Sequence, residues 1–182
     1  MDELFPSPAA GFDHPIEILE GCHARIRRNC ALVERIARHV ATKGADDEAR
    51  QAIRSVMRYF DEAGANHHRD EEEDLFPALE RRAARANQAP VAALLERLRR
   101  EHGELDALWK EMRGRLEGLA GGHYGAVTPD AALLFARAYE THMKLEEESL
   151  FPAARRLLDA PALEALGASM AARRGVVPPP QP

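Results

Sequence analysis

The chain has 182 residues, a formal net charge of −5, 45% hydrophobic and 30% charged residues. That size suits one domain that buries its own core without staples. The acidic balance excludes a general binder of nucleic acid or anionic membrane, because no large positive potential is available to gather phosphates.

Met1 to Asp13 carry prolines, a glycine and no sustained period, and predict an irregular lead-in, 1–13. They also hold no basic stretch followed by an apolar one, and no apolar run in the chain reaches membrane length, so a soluble protein is expected. The first helix starts near Pro15, since proline suits a first helical position, and stops at Lys43-Gly44. Its stripe is Ile16, Leu19, His23, Ile26, Cys30 and Val33, at steps of three and four. Cys22 and Cys30 lie eight residues apart on it, too far for disulfide geometry, and are expected as reduced thiols of a cytoplasmic protein.

Asp46 and Asp47 offer a cap and acidic first turn to the second helix, whose inward line runs Ile53, Phe60, Gly64, His67, Glu71 and Leu75. Pro77 lacks an amide hydrogen and would clash with the carbonyl of Glu73, so a kink or an end is expected there. The third helix runs from about Ala89-Pro90 to Leu119, with Leu94, Leu95, Leu98, His102, Leu105 and Trp109 inward, and a glycine-rich stretch around His123 breaks it. Thr128-Pro129 opens the fourth, with Leu134 or Phe135, Ala138, His142, Glu146 and Leu150 inward, and Pro152 repeats the interruption. Four helices of about 25 to 30 residues joined by short loops predict an all-α, up-down-up-down four-helix bundle over 14–158. A short amphipathic helix from Pro161 to Arg173 and a flexible proline-rich tail complete 159–182.

One twelve-residue pattern occurs twice: HHRDEEEDLFPA from His67 to Ala78, and HMKLEEESLFPA from His142 to Ala153. In both, a histidine is followed four residues later by the first of three glutamates. Four helical residues turn the chain by about 400°, so the two side chains are only about 40° apart on one face and can close on the same ion. The repeat extends further. Phe60 and Phe135 lie seven residues before their histidines, and His23 and His102 each sit in mid-stripe on the preceding helix. The chain therefore reads as two hairpins, each giving one lone histidine and one His-x-x-x-Glu pair.

Taken singly, these features have ordinary explanations. A lone histidine in an apolar stripe is more often a buried neutral imidazole, His-x-x-x-Glu is a common helical neighbour pair, and acidic runs are usually solvated faces. Chance accounts poorly for two pairs with the same flanks, and Glu71 and Glu146 on apolar faces are expensive unless protonated, paired or metal-bound. His14 and His39 fall on the far side of the first helix, and His123 in an exposed loop. His68 with Glu72 has the same spacing, but Met143 stands at its place in the second copy, so His68 is expected outside the inner set or at the surface.

His23, His67-x-x-x-Glu71, His102 and His142-x-x-x-Glu146, with the Glu-Glu and Leu-Phe-Pro elements, resemble the hemerythrin-like, or HHE cation-binding, domains. The resemblance covers roughly Asp13 to Leu158. It implies a four-helix bundle around a non-haem di-iron centre, with His23 and His67 on one iron, His102 and His142 on the other, and Glu71 and Glu146 bridging. Oxygen-carrying hemerythrins have a second histidine four residues from the one on the third helix; here those positions hold Leu98 and Asp106.

Imidazole with carboxylate suits iron, manganese or zinc. Four neutral imidazoles and two carboxylates leave a pair of divalent irons with residual positive charge, which favours an added oxide or hydroxide bridge. Phe60, Phe135, Leu75, Leu150 and Trp109 read first as bundle core and also give the expected site an apolar lining, which admits dioxygen or nitric oxide more readily than a charged metabolite. Two readings follow: a di-iron protein that binds or reacts with dioxygen, nitric oxide or peroxide in sensing, storage or detoxification, or a metal-dependent iron or redox sensor or interaction module without turnover.

Overall fold

The computed structural model describes residues 11–85, 88–122 and 127–176. Every regular element among them is helical. α1 (Pro15–Lys43) has its proline in the first turn and ends at Gly44, whose φ of 80° is left-handed and whose amide returns to the carbonyl of Val40. α2 (Asp47–Arg58) is capped by Asp46, which accepts from the Ala49 amide at 2.9 Å. The same run continues through a π-turn, Tyr59–Gly64, then α3 (Ala65–Arg69), a second π-turn, Asp70–Leu75, and α4 (Phe76–Arg85). α5 (Ala89–Ala120) follows as one long helix. α6 (Pro129–Leu145), capped by Thr128, passes through a π-turn at Glu146–Leu150 into α7 (Phe151–Leu157), and α8 (Ala160–Arg173) is capped by Asp159.

At Pro77 and Pro152, where a kink or an end is expected, the helix does not end but continues through these π-turns. The Phe76 amide bonds the carbonyl of Glu71, and the Phe151 amide that of Glu146, each five residues back. One extra residue per turn at these points lets the helical path continue through a residue that lacks an amide and crowds the carbonyl four before it.

The core is two apolar clusters with a polar layer between them. One holds Ile26, Phe60, Leu105, Trp109, Phe135 and Met143, the other Leu19, Leu75, Phe76, Leu98, Leu150 and Phe151. Each long helical run crosses from one cluster to the other, and the direction of crossing alternates along the chain: Leu19 to Ile26, Phe60 to Leu75, Leu98 to Leu105, Phe135 to Leu150. α1 packs on α2 and α6, and α5 packs on α2, α4 and α6.

α8 forms as expected and packs against α1 and the Asp70–Leu75 turn. Arg173 and Arg174 both bond the fully buried Asp70, Arg174 at 2.6 Å, and Arg173 also reaches Asp74 at 2.7 Å. A Cβ on Gly167 would stand 1.8 Å from the carbonyl oxygen of Phe12, so only glycine lets the lead-in cross the helix there. The rest of the lead-in, the loop with His123 and the proline-rich tail lie outside the described residues.

Candidate metal centre

The six residues singled out by the repeat meet in the layer between the two apolar clusters. α1 supplies His23, α3 His67, the following π-turn Glu71, α5 His102, α6 His142 and its π-turn Glu146. None is more than 3% exposed. Donor atoms of His23, His67, Glu71 and Glu146 all lie within 4.8 Å of one another. Glu146 connects this half to the other, with its oxygens 3.0 Å from His23 Nε2, 2.9 Å from His142 Nε2 and 3.5 Å from His102 Nε2. Glu71 spans the halves as well, 3.7 Å from His67 Nε2 and 3.5 Å from His102 Nε2.

These contacts are short but misdirected. Among the described residues, nine buried side-chain nitrogens and oxygens have no hydrogen-bond partner, and all nine belong to these six residues: the four Nε2 atoms, the four carboxylate oxygens and His67 Nδ1. Buried polar groups in folded proteins are almost always satisfied. Here the lone pairs converge on shared points instead of on each other, which is the arrangement a cation satisfies and hydrogen bonds do not. Four imidazoles and two carboxylates fit a pair of divalent metals in donor type, number and charge.

Three of the imidazoles are aimed from behind. His23 Nδ1 donates to Glu147 at 2.8 Å, His102 Nδ1 to Glu72 at 2.8 Å, and His142 Nδ1 to Glu101 at 2.9 Å. A donor bond at Nδ1 leaves the Nε2 lone pair free and fixes the ring's direction. Two of the glutamates are themselves held: Arg27 grips both oxygens of Glu147, at 2.8 and 3.0 Å, and Arg97 bonds Glu101 at 2.7 Å. The Arg27 bond holds the Glu147 carboxyl below its ordinary range, and the His102 bond does the same for Glu72.

Sequence reasoning missed these three glutamates, having assigned one glutamate per run. The signal was present in both copies. The middle glutamate and the phenylalanine each serve the lone histidine of the opposite hairpin: Glu72 and Phe76 touch His102, while Glu147 and Phe151 touch His23. Glu101 has no such repeat, since the residue before His23 is Cys22, and His67 Nδ1 is left without a partner.

Without a cation the cluster balances its charge with protons. Burial, reinforced by repulsion from Glu146, raises the Glu71 carboxyl well above its usual range. Burial also holds His67 neutral well below the imidazole range. Glu146 is pulled down against burial by His102, His142 and His23, and His102 is pushed up to about 9 against burial by Glu146 and Glu72.

The remaining histidines sort as follows. The His14 side chain is solvent-exposed and His39 pairs with Asp46 at 2.9 Å, both away from the centre, while His123 lies outside the described residues. His68 is not a surface residue. Its ring stacks on His102 with centroids 4.1 Å apart, and one of its nitrogens lies within 4.8 Å of those of His102 and His142. Of the expected lining, Phe60 packs on Trp109 and Phe135 on one side of the centre, and Leu75 and Leu150 close the other. Both cysteines are buried and free.

A helical bundle with a buried, unsatisfied histidine and glutamate cluster at mid-length defines a metal-binding bundle. The sequence profile of the hemerythrin HHE cation binding domain matches residues 14–154, and the chain belongs to that family. An uncharacterized protein of Haemophilus influenzae is similar to it, 29% identical over 176 residues that make up 97% of this chain and 99% of that protein.

Proposed function

We propose that the protein holds two iron ions, one on His23 and His67 and one on His102 and His142, with Glu71 and Glu146 bridging them, and that it binds or reacts with dioxygen, nitric oxide or peroxide. The observation that carries this reading is the set of nine unsatisfied buried atoms on those six residues. The frame for it is an up-down-up-down four-helix bundle, supported by the alternating order in which the four helical runs cross between the apolar clusters. Iron held by these six residues would supply one-electron redox chemistry and a Lewis-acid site for a small molecule. The chain's own residues do the rest. Glu72, Glu147 and Glu101 orient three imidazoles, and the aromatic cluster of Phe60, Trp109 and Phe135 with the leucine layer opposite keeps water away.

The free buried thiols of Cys22 and Cys30 support a cytoplasmic setting. A second reading, a metal-dependent iron or redox sensor, is supported by one contact. Asp70, next to Glu71, is gripped by Arg173 and Arg174, which ties the segment carrying that carboxylate to α8. Turnover of peroxide or nitric oxide favours the first reading; a metal-dependent change in the protease sensitivity of α8 without turnover favours the second.

The direct test is elemental analysis with the visible spectrum of the oxidised protein. Two irons per chain and near-ultraviolet charge-transfer absorption are expected, with both metals lost in Glu146→Ala and mainly one lost in His23→Ala. Zinc in place of iron removes the redox part of the reading, and full retention of metal in Glu146→Ala removes the bridge.

A further inference from the structure

His68 is the histidine of the centre that the six-residue set leaves unused, and its surroundings give it a different task. Its side chain is 13% exposed, whereas those of His23, His67, His102 and His142 are at most 3% exposed. It lies parallel to His102, with 12° between the ring planes. One of its nitrogens lies within 4.8 Å of those of His102 and His142, so it borders the second metal position. The ring is not tied from behind. Its nearest carboxylate oxygen, on Asp106, is 3.8 Å from Nδ1, beyond hydrogen-bond length.

His68 also lines a cavity of about 230 Å³ whose other walls include Phe60, Ala65, Asp106, Trp109 and Tyr139. None of the six inner residues lines this cavity, so His68 is the partition between it and the centre. The aromatic wall is pinned: Asp61 on the first π-turn accepts from Trp109 Nε1 at 3.0 Å and from Arg113 at 2.9 Å, bridging that turn to α5. A second cavity, of about 530 Å³, reaches His142 among Glu101, Leu105 and Thr141. It meets that ring on the side where Glu101 holds Nδ1, while Nε2 points inward to Glu146. That approach ends on a ring held at Nδ1 by Glu101, whose other nitrogen faces the centre and not the cavity.

We propose that small ligands reach the His102–His142 half of the centre through the cavity walled by Phe60, Trp109 and Tyr139, and that His68 is the side chain that faces them there with one hydrogen bond. The inference rests on the metal-binding reading above and adds the route, the half that is approached and the residue that meets the ligand. It explains why an imidazole sits between the cluster and a cavity with its nearest carboxylate beyond hydrogen-bond length.

Azide is a suitable probe, since its binding to oxidised iron is read from visible absorption. Iron-loaded wild type, His68→Ala, His68→Gln and Ala65→Phe are first assayed for metal, then titrated with azide and mixed with it in stopped flow. All four chains are expected to hold the same iron. His68→Ala then weakens azide affinity roughly tenfold, the scale of one hydrogen bond, and His68→Gln, whose amide still donates, recovers most of it. Ala65→Phe, at an exposed position on the cavity rim, slows association severalfold at unchanged affinity. Loss of one iron in His68→Ala makes it a ligand and overturns the proposal. Wild-type affinity in that variant removes the contact, and a wild-type rate in Ala65→Phe removes the route. A wild-type chain without the iron pair fails at the metal assay, before azide is added; there the parent reading falls and takes this one with it.

Discussion

Each triple-glutamate run divides its carboxylates among three tasks. The first, Glu71 or Glu146, turns into the centre; the second, Glu72 or Glu147, crosses to the Nδ1 of the opposite hairpin's lone histidine. The third stays on the surface, Glu73 with Arg69 and Arg173, Glu148 with Lys144. Partners behind a metal-bound imidazole raise its basicity and fix its direction, and losing one typically weakens metal binding roughly tenfold to a hundredfold. Glu72→Ala is therefore expected to weaken iron at the His102 half by about that factor in a chelator competition, although Glu72 belongs to the other hairpin. Glu73→Ala, one residue on, should leave iron affinity at wild type; equal losses in the two variants would contradict the division of roles. The inner six are readable from sequence because a stripe at steps of three and four is a property of one helix, and the repeat doubles it. Glu72 and Glu147 are harder to read, since one step off the stripe a glutamate looks like solvated surface and its partner belongs to another element. His68 is harder still, because what separates it from a surface histidine is the stack on His102, a contact between helices.

At the scale of elements, the helix ends were legible where a cap or turn residue sets them: Pro15, Gly44, Asp46 and Thr128 all act where their chemistry predicts. The π-turns were not, because a proline within a helical pattern reads as a break, and whether the backbone absorbs it by shifting to i→i+5 bonding depends on what the extra residue gains. Here the shift falls on the segments that carry Glu71 and Glu146, so proline, widened turn and inner carboxylate form one unit. α8 gives a test whose outcome is a sign. Glycine to alanine in an open helical position stabilises by roughly 0.5–1 kcal/mol, and Gly114 in α5, with nothing within 4 Å of its Cβ position, should behave so. At Gly167 the new methyl would strike the Phe12 carbonyl, and displacing that backbone should cost about 1–3 kcal/mol, more than the propensity gain. Urea denaturation should show the midpoint of Gly114→Ala rising and that of Gly167→Ala falling. A rise for both would mean that the lead-in does not cross α8 as the structure has it.

At the scale of the whole molecule, the centre interrupts the core. The apolar clusters above and below it are separated by a layer of six buried ionisable side chains, and such groups are costly to bury while unpaired. Folding without metal keeps that cost, relieved only in part by protons on Glu71 and His102. A cation that binds the folded chain and not the unfolded one stabilises it by mass action, about 4 kcal/mol at a free concentration a thousandfold above its dissociation constant. For a chain of this length one kcal/mol moves the melting temperature by roughly 2–4 °C, so saturation should raise Tm by about 8–16 °C over the metal-free protein. The same additions should move the Tm of Glu146→Ala little, because its bridge is gone. Its metal-free Tm bears on the packing: the substitution removes the carboxylate that three imidazoles face, leaving them without a common partner between the clusters. If metal raised both chains equally, the stabilising site would lie elsewhere on the molecule, and the polar layer would have to be read as a proton-balanced core. A large shift confined to wild type ties the stability of all four helical runs to the occupancy of one site.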